Sequence, residues 1–529
     1  MLYHYKGWDS KCQGEFRKEF HQFSRVNSDI FQQKKACFFL EKWLTSDMGM
    51  CYVLSVSIGK IRDGGSRMRR ENNLGTDSMA GLVVRLAIPA MLAQFINVLY
   101  SIVDRIFIGN IPEIGATALA GVGICGPIVT LITSFSMWVG IGGSPLMSIK
   151  MGENDRKGAS QIMANCFLMM IVMAVVITLL VILFKQPLLM LFGASEVTFP
   201  YANTYMTIYA VGSIFAILSM GMNTFIICQG YSKIAMMSVV VGAITNIVLD
   251  PVFIFGCNMG VAGAAVATVI AQMVSCAFVL LFLFGRRPPV RITFGGYNRT
   301  LMFRVLLTGL SPFIIVALDS GLIIAMNMVL QHYGGPGYGD QLVTCNTIAQ
   351  SFFLMVTLPM GGMTGATQPI LGFNYGACQM DRVRSGQKYT LILCLIFTAV
   401  MMVVAHVFSS YFVRLFTNDA FYMELSMKAI KIMTLMILPL AVQYTIVDGF
   451  TGLSAVKYSI VLSTFRKLLY FAAMMIFPLL FGIENVFFAE PAVDLISAGV
   501  SVLVYLKCMS GILRRREEKV ALELRKSAA

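Results

Sequence analysis

Charged residues in this chain fall in short islands, and the stretches between them are apolar for long distances. The run from Ile162 to Phe184 holds no charged residue, and about 20 residues of helix suffice to cross the hydrocarbon core of a bilayer. Reading each such run as one helix predicts twelve spans, at 82–108, 120–146, 162–184, 203–228, 236–256, 262–284, 302–330, 343–366, 388–409, 428–450, 456–480 and 487–508. The predicted fold class is all-α and integral to the membrane.

Composition supports the pattern. The chain is 57% hydrophobic and 13% charged, about half the charged fraction of an ordinary soluble domain. A net charge of +14 would suit a nucleic-acid partner, but the basic residues flank the spans, where they set topology instead. Lys150, Arg156, Lys157 and Lys233 lie in even-numbered loops, with Arg382, Arg384, Lys388 and Lys457 in later ones. Arg286, Arg287, Arg291, Arg299 and Arg304 mark the central linker, and Arg514, Arg515 and Arg516 follow the last span. Odd-numbered loops offer little beyond Lys185 and Arg414. The excess of positive charge on one side predicts that both ends of the helical body face the cytoplasm.

The chain also repeats itself. Pro145 and Pro369, Gly152 and Gly376, and Leu191-Phe192 and Leu415-Phe416 share one offset of 224 residues (369 − 145), and Asp155-Arg156 matches Asp381-Arg382 after a two-residue slip. Six spans return the chain to its starting side, so the halves are expected as parallel repeats, two six-helix lobes about a pseudo-twofold along the membrane normal. The expected organisation is an N-lobe over 68–284, a basic cytoplasmic linker over 285–301, a C-lobe over 302–510 and a basic tail over 511–529. Residues 1–67 are polar and aromatic, and the apolar patch Met48–Ile58 is too short to span. This segment reads as an upstream extension, with the functional chain beginning near Met68 or Met79; a regulatory tail is the alternative. The twelve cysteines are scattered singly and read as packing residues.

Ionisable residues inside apolar spans are costly and mark candidate function. Asp104 lies late in the first span, in VDRIFIGN. Asp250 lies late in the fifth, four residues after Asn246, a spacing that puts amide and carboxylate on one helical face. Pro251 follows and frees a backbone carbonyl, and Thr268 enters the sixth span at a similar depth. Two carboxylates, an amide and a hydroxyl form an all-oxygen set suited to a hard cation or to proton exchange; helix-end capping near the interface is the bland alternative. In the second half, Asp319, Asp448 and Arg466 are substrate-cavity candidates, although Arg466 could instead pair with Asp319 for structure. Pro89 offers a hinge in the first span. No GxxxxGK phosphate loop occurs, so no ATP-driven mechanism is visible.

The stretches VDRIFIGN, CQGYSK, NIVLDPVFIFGCNMGVAGAAVATVIAQ and VDGFTGLSA make residues 80–510 resemble the multidrug and toxic compound extrusion (MATE) family. The resemblance implies secondary active efflux of amphipathic, often cationic small molecules by Na+- or H+-coupled antiport. It also implies a multi-pass plasma-membrane monomer that is no enzyme and needs no cofactor or nucleic acid. By motif position it puts the cation site at Asp104, Asn223, Asn246, Asp250 and Thr268, although counting along its span leaves Asn223 nearer the cytoplasm. Asp448 matches the acidic position of the family's tenth helix. A lipid-linked oligosaccharide flippase, expected to have a cationic cavity, and an uncoupled channel or receptor are the alternatives.

Overall fold

A computed structural model describes residues 72–192, 194–335, 338–417 and 419–528 of the chain; the expectations for 1–67 lie outside these. In lipid every backbone polar group must be satisfied within the segment, which leaves helices as the solution for apolar runs of this length. The helices are α1 Met79–Gly109, α2 Gly115–Gly152, α3 Arg156–Leu191, α4 Phe199–Cys228, α5 Ser232–Pro251 and α6 Val261–Phe284. After the linker come α7 Arg299–Gly334, α8 Tyr338–Gly376, α9 Met380–Val413, α10 Ala420–Met433, α11 Ile437–Gly452, α12 Val456–Phe481 and α13 Ala489–Ala528. Among the described residues eleven helices are long and apolar enough to cross a membrane, or twelve where α10 and α11 are counted together as one bent span.

That bend corrects the continuous span expected at 428–450. The axis turns by 48° between α10 and α11. Pro439 lies in the first turn of α11, where its missing N–H costs nothing, but its ring would strike the carbonyl of Leu435 if one helix ran through. Two other boundaries also move. α7 starts at Arg299, inside the expected linker, and the 511–529 tail continues α13 as helix to Ala528. The linker is not free: Val290 N–H donates to Gln229 Oε1 at 2.9 Å, and Asn298 N–H donates to Asn165 Oδ1 at 2.9 Å, strapping it to the first lobe.

Each half buries its own core. One cluster gathers Ile132, Met163, Met170, Tyr209 and Phe225 from the first six helices; the other gathers Phe352, Met363, Ile430, Leu440 and Met474 from the second set. Leu179, Leu183, Leu281, Leu415 and Leu480 stay exposed on the outside, as expected for side chains facing lipid tails.

Small residues fix how the lobes meet. A Cβ on Gly142 would strike the backbone of Val305 and Gly309, and one on Gly152 the carbonyl of Phe373. A Cβ on Gly376 would strike the carbonyl of Ile149. Gly152 and Gly376 are repeat-related, as are Ile149 and Phe373, so these reciprocal contacts put the pseudo-twofold axis through the crossing of α2 and α8. At mid-membrane the seam is filled by Trp138, which stacks on Phe313 at 4.3 Å between ring centroids and donates its indole N–H to the carbonyl of Leu306 at 2.8 Å. The end bearing the basic loops is tied further. Arg382 donates to the carbonyls of Leu74 (3.1 Å) and Asp77 (2.9 Å), and Asn72 to that of Gly230 (2.8 Å). Residues 72–78 are thus part of the helical body, which begins ahead of Met79.

Candidate functional site

The N-lobe site is built where α5 and α6 approach closely. Gly242 lies against Ser275, where a Cβ would come within 3.2 Å, and Gly263 lies against the backbone of Phe253. These contacts bring the polar face of α5 onto α6. Pro251 ends the α-helical ladder, leaves the carbonyl of Ile247 without its helical donor, and passes the chain into a π-turn over Val252–Gly256. Single π-turns of this kind are frequent at functional sites. Gly260, at φ +55°, makes the turn into α6.

On this scaffold the Asn246 amide donates to Asp250 Oδ1 at 3.1 Å and to Thr268 Oγ1 at 3.4 Å. Asp104 of α1 brings its carboxyl within hydrogen-bonding reach of Asp250. Asp250 and Asn246 are fully enclosed, and Thr268 nearly so. Asp104 Oδ1, Asn246 Oδ1 and Asp250 Oδ2 are buried and have no hydrogen-bond partner. Buried acceptors without donors are rare, because each forfeits its water for nothing. They converge from two helices, α1 and α5, and the Thr268 hydroxyl of α6 closes the group. Arg105, next to Asp104 in the chain, is exposed and makes no salt bridge among the described residues.

Four of the five predicted positions therefore meet. Asn223 does not join them. Its amide donates to the carbonyl of Ala235 at 3.3 Å and its oxygen accepts from Ser238 at 3.3 Å. Ser238 is eight residues before Asn246, about 12 Å along α5 at 1.5 Å per residue. Asn223 belongs instead to a separate polar network with Ser238, Ser275 and Ser219. Pro89 lies within α1, which runs through it as one helix.

Sequence reasoning passed over the aromatic wall of the site. Tyr205 reaches Thr268 with its hydroxyl, and Tyr209 stacks on Tyr205 with centroids 6.2 Å apart. Gln272 donates to Tyr209 Oη at 3.5 Å and keeps its own buried Oε1 unpartnered. The signal was available: Tyr100 precedes Asp104 by four residues, Gln272 follows Thr268 by four, and Tyr205 and Tyr209 share the same spacing, so each pair shares a helical face.

The C-lobe candidates have different partners from those expected. Arg466 does not pair with Asp319. It donates to Asp494 Oδ1 through Nε (3.0 Å) and Nη2 (2.8 Å), and to Glu490 Oε1 through Nη2 (2.6 Å). All three side chains are buried. Asp319, half exposed, pairs with Lys467. Asp448 sits one turn from the end of α11, within hydrogen-bonding reach of Thr364 and Gln368 on α8. Glu490 and Asp494 went unread, although acids at i and i+4 beside an arginine-bearing helix are a pairing signal.

The MatE family profile matches residues 89–252 and 312–476, two copies of one pattern, one in each lobe. The chain is 21% identical over 340 residues to the multidrug export protein MepA of Staphylococcus saprophyticus, covering 64% of this chain and 74% of that protein. It is 23% identical over 366 residues to an FAD transporter of Shewanella oneidensis, covering 68% and 78%. Among solved structures it superposes on a multidrug resistance MATE family transporter of the MOP superfamily in an outward-facing conformation. The TM-score is 0.79 at 22% identity, with 85% of this chain and 100% of that one covered. A MOP superfamily transporter from Pyrococcus furiosus gives a TM-score of 0.78 at 22% identity over 84% of this chain and 99% of that one. With the family pattern matched once in each half of an all-helical chain of eleven to twelve candidate spans, the chain belongs to the MatE (MATE) family of membrane transporters.

Proposed function

We propose that the protein exports small organic molecules, amphipathic and often cationic, by exchanging them for Na+ or H+, with Asp104, Asn246, Asp250 and Thr268 as the coupling-cation site. The three buried, unpartnered oxygens on α1 and α5 carry this reading. They fit a small hard cation, whose ligands are carboxylate, amide and hydroxyl oxygens. The donors are all oxygens, with no thiolate or imidazole among them, a set that suits Na+ or a proton. When bound, the cation would supply the charge that lets two neighbouring carboxylates stay ionised together.

Orientation follows from the basic end, which we place in the cytoplasm of a plasma-membrane protein working as a monomer. The named contacts between the lobes run from mid-membrane to this end, which supports a state closed toward the cytoplasm. A cation binding the site from outside would favour one arrangement of the lobes and an organic substrate the other, and exchange follows from that difference in affinity. Pro89 is positioned to let α1 bend between the two states. Asn223 stands as a positioning residue for the basic half of α5. Asp319 and Asp448 stand as substrate-cavity candidates, and Arg466 as a structural partner of Glu490 and Asp494. A flippase is expected to have a cationic cavity, and the buried cations Arg466 and Lys467 of the second half are both ion-paired.

Reconstituted liposomes loaded with ethidium test the proposal. Dye movement is expected to follow an imposed Na+ gradient at fixed pH, or a pH gradient without Na+, and to stop when neither is present. Equal flux under all conditions would leave a channel, not an antiporter.

A further inference from the structure

The ion cluster of the C-lobe does not balance. Two cations, Arg466 and Lys467, face three acids, Asp319, Glu490 and Asp494. Asp319 reaches the half-exposed edge, whereas Glu490 and Asp494 are 8% and 0% exposed at the side chain. Both acids accept from the same guanidinium nitrogen, Arg466 Nη2. Asp494 directs both of its hydrogen bonds to Oδ1, leaving Oδ2 buried with no partner. Among the described residues no further cation reaches the pair: α12 adds the Tyr470 hydroxyl beside Glu490, and α11 adds Tyr444 and, farther off, Asp448. Glu484, in the turn before α13, pairs outward with Lys428. An uncompensated charge at this depth is expensive, and the smallest species that cancels it on a free carboxylate oxygen is a proton.

A polar track leads from the pair. Ser497 and Ser501 follow Asp494 at i+3 and i+7 on one face of α13, both fully buried with hydroxyls that find no partner. At matching turns of α12, Ser463 donates to the carbonyl of Ser459, and Ser459 bonds to Ser311 and Thr451. α12 starts and α13 ends at the basic end, so these hydroxyls step from the cluster toward the solvent there.

We propose that Glu490 and Asp494 form a second proton-binding site, in the C-lobe, exchanging with the basic side of the membrane along the serines of α12 and α13. A proton from hydronium ends on the free carboxylate oxygen and leaves water behind, so the cluster becomes neutral. The site is separate from the coupling site of the N-lobe and stands whether or not that assignment holds.

Infrared spectroscopy of the purified full chain tests it. In a variant carrying Asp104→Asn, Asp250→Asn and Asp448→Asn, the other buried acids discussed above are neutral, and Asp319 is kept because it pairs with Lys467 at the half-exposed edge. A protonated-carboxyl C=O stretch is expected to remain at pH 7, to fade on alkaline titration, and to be lost in Glu490→Gln or Asp494→Asn added to that background. Absence of the band in the triple variant overturns the proposal even if neither added substitution folds, and so does a band that survives both unchanged.

Discussion

The two lobes present the same helical face with opposite contents. At repeat-related positions α5 carries Gly242, Asn246 and Asp250, whereas α12 carries Arg466, Tyr470 and Met474. In the first lobe the glycine lets α6 close in, and two acids are left with an amide, a hydroxyl and no built-in cation. In the second, an arginine fills that place and takes its acids from α13. On the reading proposed above, the first lobe borrows from solution a positive charge of the kind that Arg466 supplies permanently in the second. An arginine cannot leave in a transport cycle and a bound cation can, and this is why the coupling site is proposed for the N-lobe despite the symmetry of the fold.

The comparison breaks most directly at Asp250. Asp250→Asn keeps the shape and the Asn246 contact but removes a charge the site needs. Gradient-driven ethidium efflux in liposomes is expected to fall at least about tenfold, the factor that 1.4 kcal/mol represents, with membrane insertion unchanged. Efflux at the unaltered rate would return these oxygens to helix capping. The mirror experiment is Arg466→Met. It leaves Glu490 and Asp494 buried without their cation, a loss worth about 3–5 kcal/mol where such pairs have been broken. A large drop in thermal stability in detergent is the expected result, with the Na+ or pH dependence of the surviving transport kept. A variant as stable as the original would mean that the cluster does not hold α12 to α13.

How far the sequence could be read differs between the lobes for the same reason. Twelve spans, the repeat and the linker follow from hydropathy and charge, which depend on one residue at a time. The meeting of Asp104, Asn246, Asp250 and Thr268 was legible nearly as well, because Asn246 and Asp250 are neighbours on one helix and the carboxylates had no competing cation nearby. Motif position carries no depth for Asn223, whereas counting along its span leaves it nearer the cytoplasm, in agreement with its partners Ala235 and Ser238 on the basic half of α5. Arg466 was matched in sequence terms only with Asp319, and the choice of Glu490 and Asp494 depends on how α13 packs against α12, which the i, i+4 spacing of the two acids hints at but does not decide. The break between α10 and α11 was legible in Pro439 and was overridden by the apolar run around it.

A finer cut separates the residues of the N-lobe from one another. Asn246→Ala removes an oxygen of the site together with the amide that orients Asp250 and Thr268, so the Na+ or H+ concentration for half-maximal efflux is expected to rise about tenfold, again 1.4 kcal/mol. Asn223→Ala disturbs a neutral hydrogen-bond pair, worth about 0.5–1.5 kcal/mol, at a level of α5 that does not touch the cation. Its half-maximal concentration should shift by less than about threefold. Equal shifts for the two would put Asn223 back among the ligands.

The smallest effect is expected where the lobes meet solvent. Glu153, just past α2, accepts from Arg516 of α13 at 2.6 Å and pairs with Lys150 at 2.9 Å, while Arg516 also donates to the carbonyl of Gly376 at 3.0 Å. Partial burial pushes the Glu153 carboxyl up, but the hydrogen bonds and charges of Lys150 and Arg516 outweigh it and hold the group below the usual range. A depressed carboxylate contributes fully above its ordinary value, about 4.3 for glutamate, and loses that contribution only as the pH falls through the lowered one. The tie across the basic end should therefore be constant through neutral pH and loosen only under acid. Because the carboxylate is a quarter exposed, the pair is worth no more than about 1 kcal/mol, roughly a fivefold change in the open population. Spin-label distances between the basic ends of α3 and α9 should show Glu153→Gln at pH 7 matching the unaltered chain in acid. A much larger opening would mean that this one ion pair, and not the glycine crossing of α2 and α8, keeps that end shut.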